Sequence, residues 1–350
     1  PDYARKAATL TFVIDVSGSM EMENRLGLVK RSLEMLVENL DRNDSVAIVV
    51  YGSEARTVLG PTSAGDKNTI LNAIYGLRTE GATNAEAGLR LGYELAWEAY
   101  RENTTNRVIL CSDGVANVGA TGPDAILETI RSYVDTGITL TTVGFGMGNF
   151  NDVLMEQLAD NGDGHYAYVD TLAEAEKLFV EKLTGTLQAI ALDAKIQVDF
   201  NPDVVAYYRL IGYENRDVAD RDFRNDAVDA GEIGAGHSVT ALYAVMLHPG
   251  AEGRLATAQL RWEDPETHKV TEINGNLNTW DLAASYSQAS ARYQLAVTAA
   301  QFAEILRQSP WAGEISLYQL TDYAYSVSSA LRGDADVAEF AELVNRASQR

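Results

Sequence analysis

The stretch "FVIDVSGSM", residues 12–20, joins an apolar run to a loop that carries one carboxylate and two hydroxyl groups. Residues 12–14 lack helical spacing and a glycine-containing loop follows them, so the pattern predicts a strand that enters a core and ends at a turn. The side chains of Asp15, Ser17 and Ser19 would then lie where this strand stops. Taken alone, Asp-x-Ser-x-Ser is also typical of a polar turn capped by its own side chains.

Residues 9–186 alternate short β-rich runs with segments whose apolar residues recur at helical spacing. The first helical segment carries leucines and a valine at intervals of three and four over residues 26–40. Residues 45–52 and 55–60 follow as two closely spaced strands, which indicates a hairpin at one edge. This order predicts an α/β fold: a doubly wound, mostly parallel six-stranded sheet with one antiparallel edge strand, flanked by helices.

The pattern changes after about residue 187. Four β-rich runs follow without long helical patterns between them, and three helical segments come after residue 280. The strands are predicted at 193–202, 204–214, 237–247 and 256–264, and the helices at 282–308, 314–331 and 335–349. We therefore expect three parts: the α/β domain at 8–186, an antiparallel, sandwich-like β domain at 187–281, and a helical segment at 282–350 that packs on the rest.

The composition limits the classes of partner. Asp and Glu total 50 against 28 Lys and Arg, which gives a formal charge of -22, and such a surface repels nucleic acid and anionic lipid. No run of about 18 uncharged apolar residues is present, so we expect no transmembrane segment in this chain. The single cysteine, Cys111, follows three apolar residues of a predicted strand, which favours a small buried hydrophobe over a reactive thiol.

Two further segments bring oxygen-bearing side chains toward the end of the first strand. Asp113 ends the predicted strand "RVILCSD", and Thr83 occupies the predicted N-cap position of a helix within "EGATNAEAGL". In a doubly wound sheet the ligand crevice lies outside the carboxyl ends of the strands, where the strand order reverses. Because Asp113 is expected at a strand end, its replacement by alanine should leave the core folded.

The resulting donor set consists of oxygen atoms from Asp15, Ser17, Ser19, Thr83 and Asp113. Oxygen ligands suit Mg²⁺, with Ca²⁺ or Mn²⁺ as alternatives, and the lack of nearby histidine or cysteine argues against zinc. The set supplies no base beside a serine nucleophile, and a phosphotransferase using Asp15 would need a second carboxylate where Ser17 stands, so we expect no enzymatic activity. The later "GFGMG", residues 144–148, lacks the spacing of a dinucleotide-binding fingerprint and is interpreted as a turn.

Together, "DVSGSM", "GATN" and "CSDG" resemble the three parts of the metal-ion-dependent adhesion site of the von Willebrand factor A family. The resemblance implies that Ser17, Ser19 and Thr83 are direct metal ligands, with Asp15 and Asp113 acting largely through water. The segments "NRLGLVK", "YENR" and "VDAGEIGAGHSVTALY" are similar to bacterial members with a long C-terminal extension of unassigned function. Those members are typically exported or lipid-anchored, so the resemblance implies an extracytoplasmic, envelope-associated location.

We therefore expect a non-enzymatic, divalent-cation-dependent protein-binding module for adhesion or envelope assembly. A protein partner presenting Asp or Glu would complete the coordination of the bound ion. Residues adjacent to the ligands in sequence would form the rim that selects the partner: Met20, Asn84, Val115 and Asn117. Two alternatives stay open, an assembly subunit of a larger enzyme complex such as a metal chelatase, and a structural scaffold with an unused metal site.

Overall fold

The computed structural model describes residues 6–114, 131–134, 136–146, 152–182, 189–212, 222–225, 231–234, 238–265, 267–313 and 315–349. The chain divides into two compact units. The first contains Pro1–Ala194, Ala230–His237 and Glu263–Lys269, and the second contains Lys195–Asp229, Ser238–Trp262 and Val270–Arg350. The three-part division expected from the sequence, with boundaries at 186 and 281, stays a prediction.

Six strands of the first unit form one sheet. They are β1 (Ala8–Asp15), β2 (Ser45–Tyr51), β3 (Ala55–Ser63), β4 (Thr105–Ser112), β5 (Ile138–Phe145) and β6 (Tyr166–Val169). Their order is β3-β2-β1-β4-β5-β6. β3 runs antiparallel to β2 while every other neighbouring pair is parallel, which confirms the predicted mixed sheet with one antiparallel edge strand. β1 is buried along its whole length, including the polar side chains of Thr9, Thr11 and Asp15.

Helices pack on both faces of this sheet. Those described over their full length are α1 (Arg25–Asn39), α2 (Lys67–Gly76), α3 (Ala85–Glu98), α4 (Asp152–Asp160) and α5 (Leu172–Glu176). A 3-10 helix, Gly18–Asn24, leads into α1. Phe12 of β1 belongs to the same core cluster as Leu33 of α1, whereas the next residue, Val13, clusters with Leu89 of α3. Successive residues of β1 therefore face opposite helical layers, which confirms the predicted α/β architecture.

Two glycines let α3 approach the sheet closely. A Cβ atom on Gly92 would lie 2.2 Å from Cγ2 of Val13 in β1. A Cβ atom on Gly88 would lie 2.5 Å from Cδ1 of the Tyr51 ring at the end of β2. Since neither space admits a methyl group, the two glycines set the distance between α3 and the sheet. The loop that opens α3 is thereby held near the carboxyl ends of β1 and β2.

We expect Gly88→Ala to lower the free energy of unfolding by about 1–3 kcal/mol, because the added methyl group overlaps a ring that is itself buried. Gly76→Ala in α2 is the matched control, since a Cβ atom there meets nothing within 4 Å. The control should stay within about 0.5 kcal/mol of the parent protein. Urea denaturation of both variants measures the difference, and equal stabilities would contradict the close approach of α3.

The remaining strands belong to two further sheets. They are β7 (Ala189–Phe200), β8 (Val205–Ile211), β9 (Gly231–Gly234), β10 (Leu242–Leu247), β11 (Arg254–Glu263) and β12 (Val270–Asn278). β8 and β10 form an antiparallel pair, and the other sheet has the order β12-β11-β7-β9, with β7 and β9 antiparallel. The sequence predicted β7, β8, β10 and β11 but not β9 or β12. β12 is mostly exposed, and five of its nine residues are Asn, Gly or Glu, which are uncommon in strands, so its composition does not indicate a strand.

Three helices follow: α6 (Ala291–Leu306), α7 (Leu317–Ala330) and α8 (Ala335–Ser348). The side chains of Ser290, Ser316 and Asp334 each accept a hydrogen bond from a backbone amide in the first turn of the helix that they precede. The cap at Ser290 explains why α6 begins at Ala291 rather than at the predicted residue 282. Within the described part of the chain, no helix has the length and apolar character needed to cross a membrane.

Candidate metal centre

The loop after β1 brings together three of the predicted site residues. Asp15, the last residue of β1, is wholly buried, and its Oδ1 accepts a hydrogen bond of 2.8 Å from the backbone amide of Ser17. The hydroxyl oxygens of Ser17 and Ser19 lie 3.1 Å apart. Ser17 is buried and Ser19 is half-buried, so the pair leads from the core toward the surface. One carboxylate and two hydroxyls therefore form a compact group at the end of β1.

The end of β4 joins this group through Ser112. The Ser112 hydroxyl donates to Oδ2 of Asp15 over 3.0 Å, and it accepts a hydrogen bond of 3.2 Å from the Gly114 amide. Asp113, between them, is buried, with 2% of its surface exposed. The two carboxylates are close enough for the charge of Asp113 to influence the titration of Asp15. The reversal of strand order between β1 and β4 thus places both acids at one edge of the sheet.

Backbone hydrogen bonds hold the Thr83 loop against the same edge. Gly81 O accepts from the Gly18 amide over 3.2 Å, and the Glu80 amide donates to Val16 O over 2.5 Å. Thr83 is half-buried in this loop. The prediction that Thr83 is the N-cap of α3 was wrong, because Asn84 occupies that position and its side chain accepts from the Ala87 amide. The Thr83 hydroxyl is therefore not committed to capping the helix.

The four residues predicted to form the rim differ in their environments. Met20 is wholly buried and belongs to the core cluster of β1 and α1, so the structure does not place it on a rim. Asn84 is half-buried and its side-chain oxygen is used in the cap of α3. Val115 and Asn117 lie outside the described residues. Met20 follows the proposed ligand Ser19 in sequence, but sequence alone does not show that its side chain points into the core.

Burial dominates the electrostatics of the centre. It raises the pKa of the Asp15 carboxyl above the ordinary value, and the charge of Asp113 acts in the same direction. Hydrogen bonds from Ser17 and Ser112 lower that pKa and partly offset the burial. Cys111 in β4 is fully buried, which confirms the predicted burial of this residue, and burial raises the pKa of its thiol.

Two residues that the sequence did not indicate also reach the centre. Arg25, the first residue of α1, donates from Nη1 to Oδ2 of Asp113 over 2.8 Å. Tyr51 pairs with Asp15 in the parallel register of β1 and β2. Its buried hydroxyl makes no hydrogen bond of good geometry in the described part of the chain, although Asp15 and Ser112 lie close enough to influence its pKa. Burial raises the pKa of Tyr51, so this hydroxyl stays protonated and can donate. Only the strand register could have indicated Tyr51 in advance.

The donor chemistry fits a hard divalent cation. Ser17, Ser19 and Thr83 offer neutral oxygens and Asp15 and Asp113 offer two carboxylates, a set suited to Mg²⁺, Mn²⁺ or Ca²⁺. Among the described residues no group of three or more His, Cys, Asp or Glu side chains is placed to hold a metal ion, as expected for a centre with only two acids. The buried hydroxyl of Tyr51 is a spare donor that a metal-bound water could satisfy.

Family models match almost the whole chain. A model described as von Willebrand factor type A domain matches residues 9–181. A second model, described as the C-terminal part of the uncharacterized protein YfbK, matches residues 185–349. The first match covers the sheet and helices that form the candidate centre.

Individual relatives agree with these matches. The uncharacterized protein YfbK of Escherichia coli (strain K12) is 35% identical over 337 residues, which span 91% of this chain and 58% of that protein. Inter-alpha-trypsin inhibitor heavy chain H3 of Pongo abelii is 28% identical over 189 residues, or 51% of this chain and 21% of that protein. This chain therefore spans less than two thirds of either relative.

A solved structure supports the fold. The structure described as von Willebrand factor type A from Catenulispora acidiphila superposes with a TM-score of 0.57 and covers 93% of this chain and 80% of its own. At 17% identity this likeness concerns the fold alone.

Proposed function

Because residues 9–181 of this chain match the von Willebrand factor type A domain, we propose that the chain is a divalent-cation-dependent protein-binding module. Domains of this family often mediate protein–protein interaction and adhesion, and they commonly bind divalent metal ions. The observation that carries the proposal is the group at the end of β1. There the Ser17 and Ser19 hydroxyls lie 3.1 Å apart beside the buried Asp15.

Within this proposal the chain supplies a shell with mostly neutral ligands. Ser17, Ser19 and Thr83 hold the cation directly, while Asp15 and Asp113 act largely through water. Mg²⁺ is the expected ion, with Ca²⁺ or Mn²⁺ as alternatives. When bound, the ion would have neutral hydroxyls as its direct ligands, with both carboxylates acting largely through water, so a position would remain that an outside carboxylate can fill.

The partner is proposed to be a protein that presents Asp or Glu. The formal charge of -22 repels an acidic partner at long range. Salt screens this repulsion over about 10 Å, so a bound cation can still attract a carboxylate that comes into contact with it. Binding should therefore depend strongly on the metal and require close approach. The extracytoplasmic location and the absence of enzymatic activity stay predictions.

The test uses Mn²⁺ as the metal and acetate as the carboxylate. If the centre holds Mn²⁺ with an exchangeable water, the protein should increase the relaxation rate of water protons per Mn²⁺ above that of the free ion. Acetate should then lower this enhancement by replacing the water, while neutral acetamide, the matched control, should not.

An enhancement that acetate leaves unchanged would reject carboxylate capture. A protein that does not bind Mn²⁺ at all would instead favour the alternative of a structural scaffold with an unused site. The alternative of an assembly subunit of a larger enzyme complex has the same metal centre, so this measurement does not distinguish it from adhesion. The identity of the protein partner distinguishes the two.

A further inference from the structure

We propose that the charge of Arg25 makes the metal-loaded centre more positive, so that the centre binds the cation less tightly and an anionic partner more tightly. This inference rests on the proposed function and adds to it a residue outside the predicted ligand set. Its basis is that one carboxylate, Asp113, serves two cations: the guanidinium of Arg25 and the proposed metal ion.

The ion pair between Arg25 and Asp113 is buried. Nη1 of Arg25 lies 2.8 Å from Oδ2 of Asp113, and the two side chains are 9% and 0% exposed. Little water therefore screens the guanidinium from the other groups at this edge of the sheet. The charge of Arg25 consequently acts on anything bound between Asp15 and Asp113.

The fold contains a space for this arginine. Gly146 follows β5 with φ +97°, a backbone conformation that side chains rarely adopt. A Cβ atom there would lie 2.3 Å from Nε and 2.6 Å from Cδ of Arg25. On the backbone side of Arg25, the 3-10 helix Gly18–Asn24 connects the Ser17 loop directly to this residue. The backbone of Arg25 is therefore joined by this short helix to the loop that carries the proposed ligands, and its guanidinium is held at Asp113.

Charge counting gives the consequence. Among the described ligands the ionised acids are Asp15 and Asp113, which together carry two negative charges that a divalent ion would neutralise. The guanidinium of Arg25 adds a positive charge beside this set. Like charges in a poorly screened site repel, so the charge of Arg25 opposes the metal, and the same charge attracts a carboxylate. Arg25 thus lowers the affinity of the centre for the cation and raises the affinity of the loaded centre for an anion.

Arg25→Met tests this, because methionine keeps an unbranched apolar chain beside Gly146 and removes the charge. We expect Mn²⁺ affinity to rise about tenfold or more, and acetate affinity of the Mn²⁺-loaded protein to fall by a similar factor. Arg25→Lys should retain most of the parent behaviour because it keeps the charge. Arg90→Met is the matched control, since Arg90 lies on the exposed face of α3 with 67% of its side chain accessible.

The readouts are Mn²⁺ titration by calorimetry, the acetate effect on water-proton relaxation, and unfolding in the presence of a chelator. Unchanged or weaker Mn²⁺ binding by Arg25→Met would overturn the inference, as would an undiminished acetate effect. Arg25→Gln, which keeps hydrogen bonding without charge, carries the same expectations should the methionine variant fail to fold. Parent protein that binds Mn²⁺ but ignores acetate would refute the proposed function itself, whatever the Arg25 variants do.

Discussion

Asp113→Ala is expected to lower the free energy of unfolding by about 3–5 kcal/mol in the presence of a chelator. The reason is the 2.8 Å contact between Asp113 and the buried guanidinium of Arg25. Removing one member of a buried ion pair leaves the other charge in a poorly solvated place, which costs more than the pair itself contributes. The expectation from the sequence was that Asp113→Ala abolishes metal binding and leaves the core folded, and the buried ion pair predicts a loss of stability in addition.

Urea denaturation of a double-mutant cycle measures this effect. The variant that combines Asp113→Ala with Arg25→Met should be more stable than Asp113→Ala alone, because it no longer buries the cation. The two substitutions should therefore be strongly non-additive. A loss below about 1 kcal/mol for Asp113→Ala, or additive effects in the cycle, would show that the ion pair is energetically unimportant.

The fold could be predicted because its signals are local. The apolar residues 12–14 lie within the run at residues 8–15, and the structure buries every residue of that strand. The hairpin at the sheet edge was visible from the short spacing between β2 and β3. By contrast, β12 is mostly exposed and lacks a buried apolar face, so nothing in its pattern distinguishes it from a loop.

The candidate centre was predictable only in part, for a related reason. Asp15, Ser17 and Ser19 belong to one short motif, and the structure keeps them together. Arg25 contacts Asp113 across 88 positions of sequence, and in the sequence alone it is one more polar residue at a helix start. The inward orientation of Met20 likewise follows from packing between β1 and α1.

Asp15→Asn should weaken the binding of Mn²⁺ by about 10–100-fold while leaving the protein folded. Asparagine keeps an oxygen that can accept from the Ser17 amide, but it removes the negative charge. Burial raises the pKa of Asp15, so the folded protein binds its proton more tightly than the unfolded chain does. Stability of the metal-free protein therefore falls as pH rises through the interval above the ordinary Asp pKa. The asparagine variant avoids this loss and should be at least as stable near neutral pH.

Calorimetric titration of Mn²⁺ into the parent protein and Asp15→Asn is the most direct test of a divalent-cation centre at the end of β1. Asp66→Asn serves as the matched control, because Asp66 is exposed and its side chain makes no capping hydrogen bond. We predict one site in the parent protein and in the control, and about 10–100-fold weaker binding in Asp15→Asn. A parent protein without a saturable site, or an Asp15→Asn variant that binds as tightly as the control, would contradict the account.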